Sequence, residues 1–258
     1  MADTKYNLSY IEQKSFLHSL NPLIKALWLL IVAFSLFFFR HSYSGCAMLV
    51  MVLFLAIVVG KVPLKTVAKS SVLAFGFGLL LAMFHIFGDQ GNTVFQFGFL
   101  KATDTGLFEG PRFFFRLSVV VLASLVFIWT TNPRDLMISL TSIGVPDQFA
   151  FGAFITMRFL PLIQEEIDAV QAAHTVRGKT SQSMLKHRIR LFQRYLFTIV
   201  INSLRKAETT SVAVESRGFG AYPNRTYAKE SNFTKFGWLF IIGFCLFIAV
   251  LFYLEAYL

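Results

Sequence analysis

The sequence predicts an all-α, polytopic membrane protein. Of its 258 residues, 55% are hydrophobic and 31 are phenylalanine, and the apolar residues are gathered into long runs. A soluble domain of this length buries a good core with less apolar material. The runs are instead long enough for the roughly 20 helical residues that cross a bilayer.

Five membrane spans are expected, over residues 23–39, 45–60, 72–88, 113–131 and 236–257. The first has a clear start, because Pro22 suits the first helical position and Asn21 precedes it as an N-cap. Residues 149–163 are also apolar, but Arg158 and Pro161 interrupt a run that is short for a span. We expect these residues to form an interfacial or packed cytoplasmic helix.

The charges set the expected orientation, because lysine and arginine collect in the cytoplasmic loops of membrane proteins. Six lysines place the N-terminal segment and the loop after the second span inside: Lys5, Lys14, Lys25, Lys61, Lys65 and Lys69. The loop 89–112 then lies outside, and the chain is cytoplasmic from about residue 132 to residue 235. The last span leads to an outside C-terminus.

These expectations divide the chain into a four-span membrane domain (1–131), a cytoplasmic region (132–234) and a last span (235–258). The net charge of +10 follows the cytoplasmic bias and does not require nucleic acid as a partner. Cys46 and Cys245 each lie inside an apolar run, so they offer no disulfide framework and no metal-ligand spacing. The first 22 residues are polar and lead into a full-length span, which does not indicate a cleavable signal.

The cytoplasmic region is expected to contain two long amphipathic helices. Apolar residues at spacings of three and four predict one helix from residue 158 to 177 and another from about 190 to 217. Residues 178–184 read as the turn between them. Such wide apolar stripes must be buried against each other, against the membrane spans or against another protein.

Both helices end in the same dipeptide, within the triplets Val176-Arg177-Gly178 and Ser216-Arg217-Gly218. Each triplet alone is typical of an ordinary helix end, because glycine accepts the left-handed conformation and a cation suits the helix dipole. The repetition indicates more. A guanidinium at a helix tip binds a carboxylate in bidentate fashion, and two tips fit the two equivalent grooves of a dimeric partner.

With these motifs the chain resembles the T components of energy-coupling factor transporters, whose hallmark is two Xaa-Arg-Gly motifs, usually Ala-Arg-Gly, at the ends of two coupling helices. The stretches HSLNPLIK, TNPRDL, MRFLPLIQEEID and RKAETTSVAVESRGFG also fit that family. The resemblance covers nearly the whole chain. Neither motif begins with alanine here: Ser216 is close to it in size, whereas Val176 is bulkier.

The resemblance implies a non-catalytic coupling subunit in the plasma membrane of a prokaryote. Arg177 and Arg217 would each enter a groove on one subunit of a homo- or heterodimeric pair of ABC-type ATPases. The coupling helices would pass the ATPase motion to a small substrate-binding membrane subunit, for uptake of a vitamin or a transition-metal ion. No cofactor is implied. The sequence itself has no G-x-x-x-x-G-K-[ST] phosphate loop, so we expect other chains to handle ATP.

Two further sets of polar residues are candidate sites. His85, Asp89, Arg112 and Arg116 lie near the outer ends of spans, as does Glu255, and ionisable residues in spans are candidates for an entry site or proton relay. Interfacial pairing is the favoured interpretation. Glu165, Glu166, Asp168 and His174 are expected to form the solvated face of a helix, so no catalytic or metal site is expected.

Two other functions are compatible with a basic membrane protein. A membrane-embedded enzyme acting on lipids would show carboxylate clusters or histidine ligands at the cytoplasmic membrane face, and the sequence lacks that pattern. A basic scaffold would gather anionic lipid or nucleic acid on the cytoplasmic region. It would not need Gly178 and Gly218, whereas the coupling function needs both glycines and each neighbouring arginine.

Overall fold

The structure is a computed structural model that describes residues 11, 13, 15–88, 93–97, 100–176, 185–219 and 235–257. The elements are, in order, α1 (Phe16–Ser19), α2 (Pro22–Phe38), α3 (Ser42–Phe54), α4 (Leu64–Gly88), β1 (Thr93–Phe97), β2 (Leu100–Thr103), α5 (Asp104–Thr130), α6 (Pro133–Ser142), α7 (Asp147–Val176), α8 (Leu185–Ser216) and α9 (Lys235–Tyr257). One compact unit contains α1–α6, the two strands and α9, and a second contains α7 and α8. The division at residues 131 and 235 stays a prediction.

The fold is that of an all-α polytopic membrane protein, with four described helices long and apolar enough to cross a membrane. They are α4, α5, the stretch Ser42–Val59, in which a π-helical turn continues α3, and Phe236–Tyr257. The first predicted span corresponds to α2, which is apolar but, at 17 residues, shorter than these four helices. Its predicted cap is confirmed: Asn21 Oδ1 accepts a hydrogen bond from the amide of Leu23 at 2.9 Å.

Two helices begin earlier than the apolar runs predict. α4 begins at Leu64 instead of residue 72, and α5 begins at Asp104 instead of residue 113. At the start of α5, Thr103 Oγ1 accepts a hydrogen bond from the amide of Gly106 at 3.3 Å, and Asp104 suits the positive end of the helix dipole. Hydrophobicity marks only the apolar part of such a helix and misses its polar first turns.

Small residues lie on the facing sides of α4 and α5. On α4 they recur every four residues, at Ser70, Ala74, Gly78 and Ala82, and on α5 they are Gly106, Gly110 and Ser118. A Cβ atom added to Gly78 would collide with Ser118 and lie 2.8 Å from the carbonyl oxygen of Phe114. Ser118 Oγ also donates a hydrogen bond to the carbonyl of Ala74 at 3.4 Å. Small residues let two membrane helices approach closely, and α4 and α5 form such a pair.

Large side chains fill the space between α2 and α9. The ring of Trp28 meets the ring of Phe244 edge-on, with centroids 5.8 Å apart, and Phe39 lies 4.7 Å from Phe252. Trp28 and Phe244 are both buried, as is Trp129 of α5. Aromatic pairs of this geometry are attractive beyond the area they bury. They join the last helix to the first long one.

The second unit is an antiparallel pair of helices. The ring of Phe151, early in α7, lies 3.8 Å from the ring of Phe219, just after the end of α8. Further along α7, Glu166 Oε2 lies 3.1 Å from Nζ of Lys206, which is earlier in α8. α7 runs without a break through residues 149–163 and is not among the described helices that are long and apolar enough to span. α8 begins at Leu185, a few residues before its predicted start.

A short antiparallel hairpin, β1–β2, precedes α5 and was not predicted. Phe97 pairs with Leu100 and Gln96 with Lys101, with an irregularity between Thr93 and Phe95. The strand sequence TVFQF combines β-branched and aromatic residues, which favour strands. Its five residues are too few to stand out among the apolar runs, so the sequence does not predict a hairpin within the loop 89–112.

Candidate functional site

The end of α8 is closed by the glycine of the second Arg-Gly dipeptide. Gly218 has a φ of 74°, and its amide donates a hydrogen bond to the carbonyl of Glu215 at 2.9 Å. The amide of Phe219 donates to the carbonyl of Val214 at 3.2 Å. This pair of bonds is a Schellman motif, which satisfies the last helical carbonyls. It fixes Arg217 at the point where the chain turns away, and the side chain of Arg217 is exposed.

A cavity of about 560 Å³ lies between this helix end and the first half of α7. Its walls include four phenylalanines, Phe151, Phe154, Phe159 and Phe219. The rings of Phe151 and Phe219 lie with centroids 3.8 Å apart. The Schellman motif therefore does more than end α8, because it turns Phe219 back onto α7 and closes one wall of the cavity.

Two cations line the same cavity. Arg217 reaches it from the end of α8 and Arg158 from α7. Both arginines are exposed, and no carboxylate is present among the described residues that line the cavity. Guanidinium groups beside aromatic rings suit a ligand that combines a carboxylate with an apolar group.

The first Arg-Gly dipeptide falls largely outside the described residues. Arg177 and Gly178 belong to the part of the chain that is not described, and α7 is helical up to Val176. At 1.5 Å per residue, Val176 lies about 27 Å along α7 from Arg158. Since Arg158 stands beside the end of α8, the last turn of α7 is well separated from Arg217.

The outer polar set binds the end of a helix. Arg112 Nε donates to the carbonyl of Phe39 and Arg116 Nε to the carbonyl of Leu36, both at 3.0 Å. Glu109 Oε2 pairs with Arg112 Nη1 at 3.0 Å. These carbonyls close α2, where free acceptors and the negative dipole end favour cations. The two arginines therefore cap α2 from α5.

Aromatic rings complete the outer set. The guanidinium carbon of Arg116 lies 5.0 Å from the ring centroid of Phe37 and 5.4 Å from that of Phe113. His85 stacks on Phe113, with centroids 3.7 Å apart and planes nearly parallel. Asp89 lies outside the described residues. The described members of the set thus bind backbone carbonyls at the end of α2 and pack against phenylalanine rings.

Glu255 binds the start of α3 from the far end of α9. Its Oε1 accepts hydrogen bonds from the amides of Arg40 and His41, the latter at 2.9 Å. Ser44 Oγ donates to Oε2 at 3.3 Å, and only 9% of the Glu255 side chain is exposed. A carboxylate is favoured at the positive end of a helix dipole. Pairing near a span end is the interpretation that the sequence favours, and the partners include two backbone amides and the Ser44 hydroxyl.

Lys25 is a polar anchor that sequence reasoning missed. It is buried, and its Nζ donates a hydrogen bond to the carbonyl of Thr130, the last residue of α5, at 2.6 Å. The sequence interpretation used Lys25 only as a cytoplasmic charge. A cation in the first turn of an apolar helix was the available signal, because the end of a neighbouring span offers free carbonyls.

The acidic set on α7 has ordinary partners. Glu166 pairs with Lys206, and Asp168 Oδ1 accepts a hydrogen bond from Gln164 Nε2 at 3.3 Å. Glu165 is exposed, and the side chain of His174 lies outside the described ones. Within the described residues no group of three or more His, Cys, Asp or Glu side chains is placed to hold a metal ion.

Comparison with known proteins gives consistent matches over most of the chain. The sequence profile of the CbiQ family, described as cobalt transport protein, matches residues 13–228. The protein named energy-coupling factor transporter transmembrane protein EcfT from Brevibacillus brevis is 29% identical over 87% of this chain and 88% of its own length. Its namesake from Limosilactobacillus fermentum is 29% identical over 88% of each chain. That from Bacillus subtilis is 25% identical over 99% of this chain and all of its own.

Proposed function

This chain belongs to the CbiQ family of cobalt transport proteins, and from that membership we propose that it is the transmembrane coupling subunit of an energy-coupling factor importer. Its relatives carry the name of that subunit. Together with the four apolar helices among the described residues, they make it a multi-pass protein of the bacterial plasma membrane. It takes part in transport and hydrolyses no ATP itself; two ABC-type ATPase subunits supply the energy.

One observation carries the proposal: an exposed arginine stands at the rigidly closed end of a long helix. Arg217 follows the last turn of α8, and the Schellman hydrogen bonds of Gly218 and Phe219 fix that position. A planar guanidinium presented in this way is suited to bidentate pairing with a carboxylate in a groove of a partner. The Arg177 ending supplies the second contact, one for each ATPase subunit.

The coupling helices also present apolar faces. Phe197, Val200 and Leu204 are exposed on α8 at helical spacing, as is Leu160 on α7. Exposed apolar stripes of this kind indicate a protein or membrane partner. We assign them to the small substrate-binding membrane subunit, which ATP-driven movement of α7 and α8 reorients. The substrate is a vitamin or a transition-metal ion, and the second class agrees with the family description.

The test is affinity purification in mild detergent, with the co-purifying chains identified by mass spectrometry. The variant Arg177→Glu plus Arg217→Glu is expected to lose ATP-binding subunits that accompany the wild type. Arg205→Glu plus Lys229→Glu is the matched control, because it changes the net charge equally at cytoplasmic positions outside both Arg-Gly motifs. Retention of the ATPases by the first variant, or their absence from the wild type, contradicts the proposal.

The glycines separate this function from a basic scaffold. Gly218→Ala keeps every charge but places a Cβ in the left-handed region, at a cost of about 1 kcal/mol or more, and is expected to weaken ATPase binding. Gly152→Ala is its control, because a Cβ there meets no atom within 4 Å. If the protein is a scaffold that binds through charge alone, both variants should bind their partners as tightly as the wild type.

A further inference from the structure

The cavity beside Arg217 contains a second arginine, Arg158, which lies outside both Arg-Gly motifs. Arg158 belongs to α7, and Arg217 follows α8, yet both line the same 560 Å³ space. Leu162 and Thr210 continue the lining from each helix. The second cation therefore comes from the other coupling helix, not from the Arg-Gly motif.

The chemistry of the lining restricts what it binds. Two exposed guanidinium groups with no carboxylate among the described lining residues favour an anionic group. The aromatic walls favour an apolar group directly beside that anion. A protein segment with an acidic and an apolar side chain next to each other meets both conditions, and arginine and aromatic residues are the types that dominate protein interfaces.

We propose that Arg158 is a second partner-binding residue at the α8 joint, where it and Arg217 hold an acidic, partly apolar segment of an ATPase subunit inside the cavity. The inference rests on the proposed coupling function, because that function supplies the partner. The contact at this joint is mutual. Arg217 enters the ATPase groove, and an ATPase side chain enters the cavity between α7 and α8. Since α7 and α8 both contact the same segment, movement of the ATPase shifts the two helices together.

The experiment measures binding of the ATP-binding subunits that co-purify with the wild type to the full chain in phosphatidylcholine nanodiscs. Arg158→Ala is expected to weaken binding about tenfold or more, as for other desolvated charge-assisted contacts of arginine. Arg158→Lys retains the charge but not the planar fork and is expected to restore part of the affinity. Arg205→Ala is the matched control, since Arg205 is exposed on α8 and does not line the cavity.

A double-variant cycle tests whether the two arginines bind one segment. If they do, Arg158→Ala combined with Arg217→Ala weakens binding less than the product of the two single effects. The inference is overturned if Arg217→Ala weakens binding while Arg158→Ala behaves like the Arg205 control, an outcome that leaves the coupling function intact. Absence of ATP-binding subunits from the wild-type purification overturns the coupling function itself.

An anionic lipid headgroup is the alternative ligand for two arginines. Repeating the measurement in nanodiscs that contain phosphatidylglycerol separates the two. If Arg158→Ala changes ATPase binding only in the anionic nanodiscs, the cavity binds lipid and the inference is overturned. An equal effect in both kinds of nanodisc supports the protein segment.

Discussion

At the scale of single residues, Glu255 connects two helices that are distant in sequence. Replacing it by alanine removes the acceptor for the amides of Arg40 and His41. We expect the free energy of unfolding to fall by about 1–3 kcal/mol, the cost of leaving such groups without a partner, and Glu255→Gln to lose less. Thermal unfolding in detergent measures both. Glu215→Ala is the control, because Glu215 is exposed on α8; an equal shift there would refute the capping role.

His18 makes the stability depend on pH. Burial lowers the pKa of its imidazole, against a raising effect from the carbonyl of Ile11 at 2.9 Å, and Lys25 lowers it further. The neutral ring is thus favoured in the folded state, so unfolding takes up protons at acidic pH. The contribution of His18 to stability is fully present above the ordinary pKa of 6.5 and decreases as pH falls below it. Melting temperatures between about pH 8 and pH 5 should show this slope, and His18→Gln should flatten it.

Sequence reasoning at this scale succeeded where a residue acts within its own helix. The Arg217-Gly218 ending and the Asn21 cap depend on neighbours a few positions away, so local pattern was sufficient. The partners of Lys25 and Glu255 were not predicted, because each side chain binds the backbone of a helix more than a hundred residues away. Which helix ends meet is a property of packing, which a single sequence does not contain.

At the scale of elements, the α4–α5 pair permits a matched test on one helix. Gly78→Ala inserts a methyl group against Ser118 and the carbonyl of Phe114, and overpacking of this kind costs about 1–3 kcal/mol. Gly76→Ala lies two residues away, where a Cβ meets no atom within 4 Å, and should be neutral or stabilising by up to about 1 kcal/mol. Chemical or thermal unfolding in detergent compares the two. Equal effects would show that close packing at Gly78 is unimportant.

The sequence predicts best those elements whose residues are much more hydrophobic than the segments beside them. The predicted spans correspond to α2, α3, α4, α5 and α9, because long apolar runs are unambiguous. Their polar first turns were missed, as at Leu64 and Asp104. The β1–β2 hairpin was also missed, because backbone pairing across a short loop leaves little trace in composition.

At the scale of the whole molecule, α9 completes the unit that α2 begins. The buried core includes three residues of α9, Phe244, Ile248 and Leu251. Removal of residues 235–258 therefore exposes the buried face of Trp28 to lipid. It also removes the Glu255 carboxylate that binds the start of α3. We expect the shortened chain to lose its single sharp peak in size-exclusion chromatography in detergent. Co-expression of residues 235–258 as a separate chain should restore the peak. A monodisperse shortened chain would contradict the role of α9.

The close contact between α4 and α5 has a consequence for conformational entropy. Glycine and alanine have no side-chain rotamers to lose on packing, and serine has few, whereas long side chains lose up to about 1.5–2 kcal/mol of rotamer freedom each. Joining α4 and α5 along this small-residue face therefore freezes little motion, while the α2–α9 interface must order several large rings. On warming, the rotamer freedom of the large side chains therefore opposes the α2–α9 interface more than the small-residue face of α4 and α5. We therefore expect the order of the small-residue face between α4 and α5 to depend less on temperature than that of the aromatic face between α2 and α9.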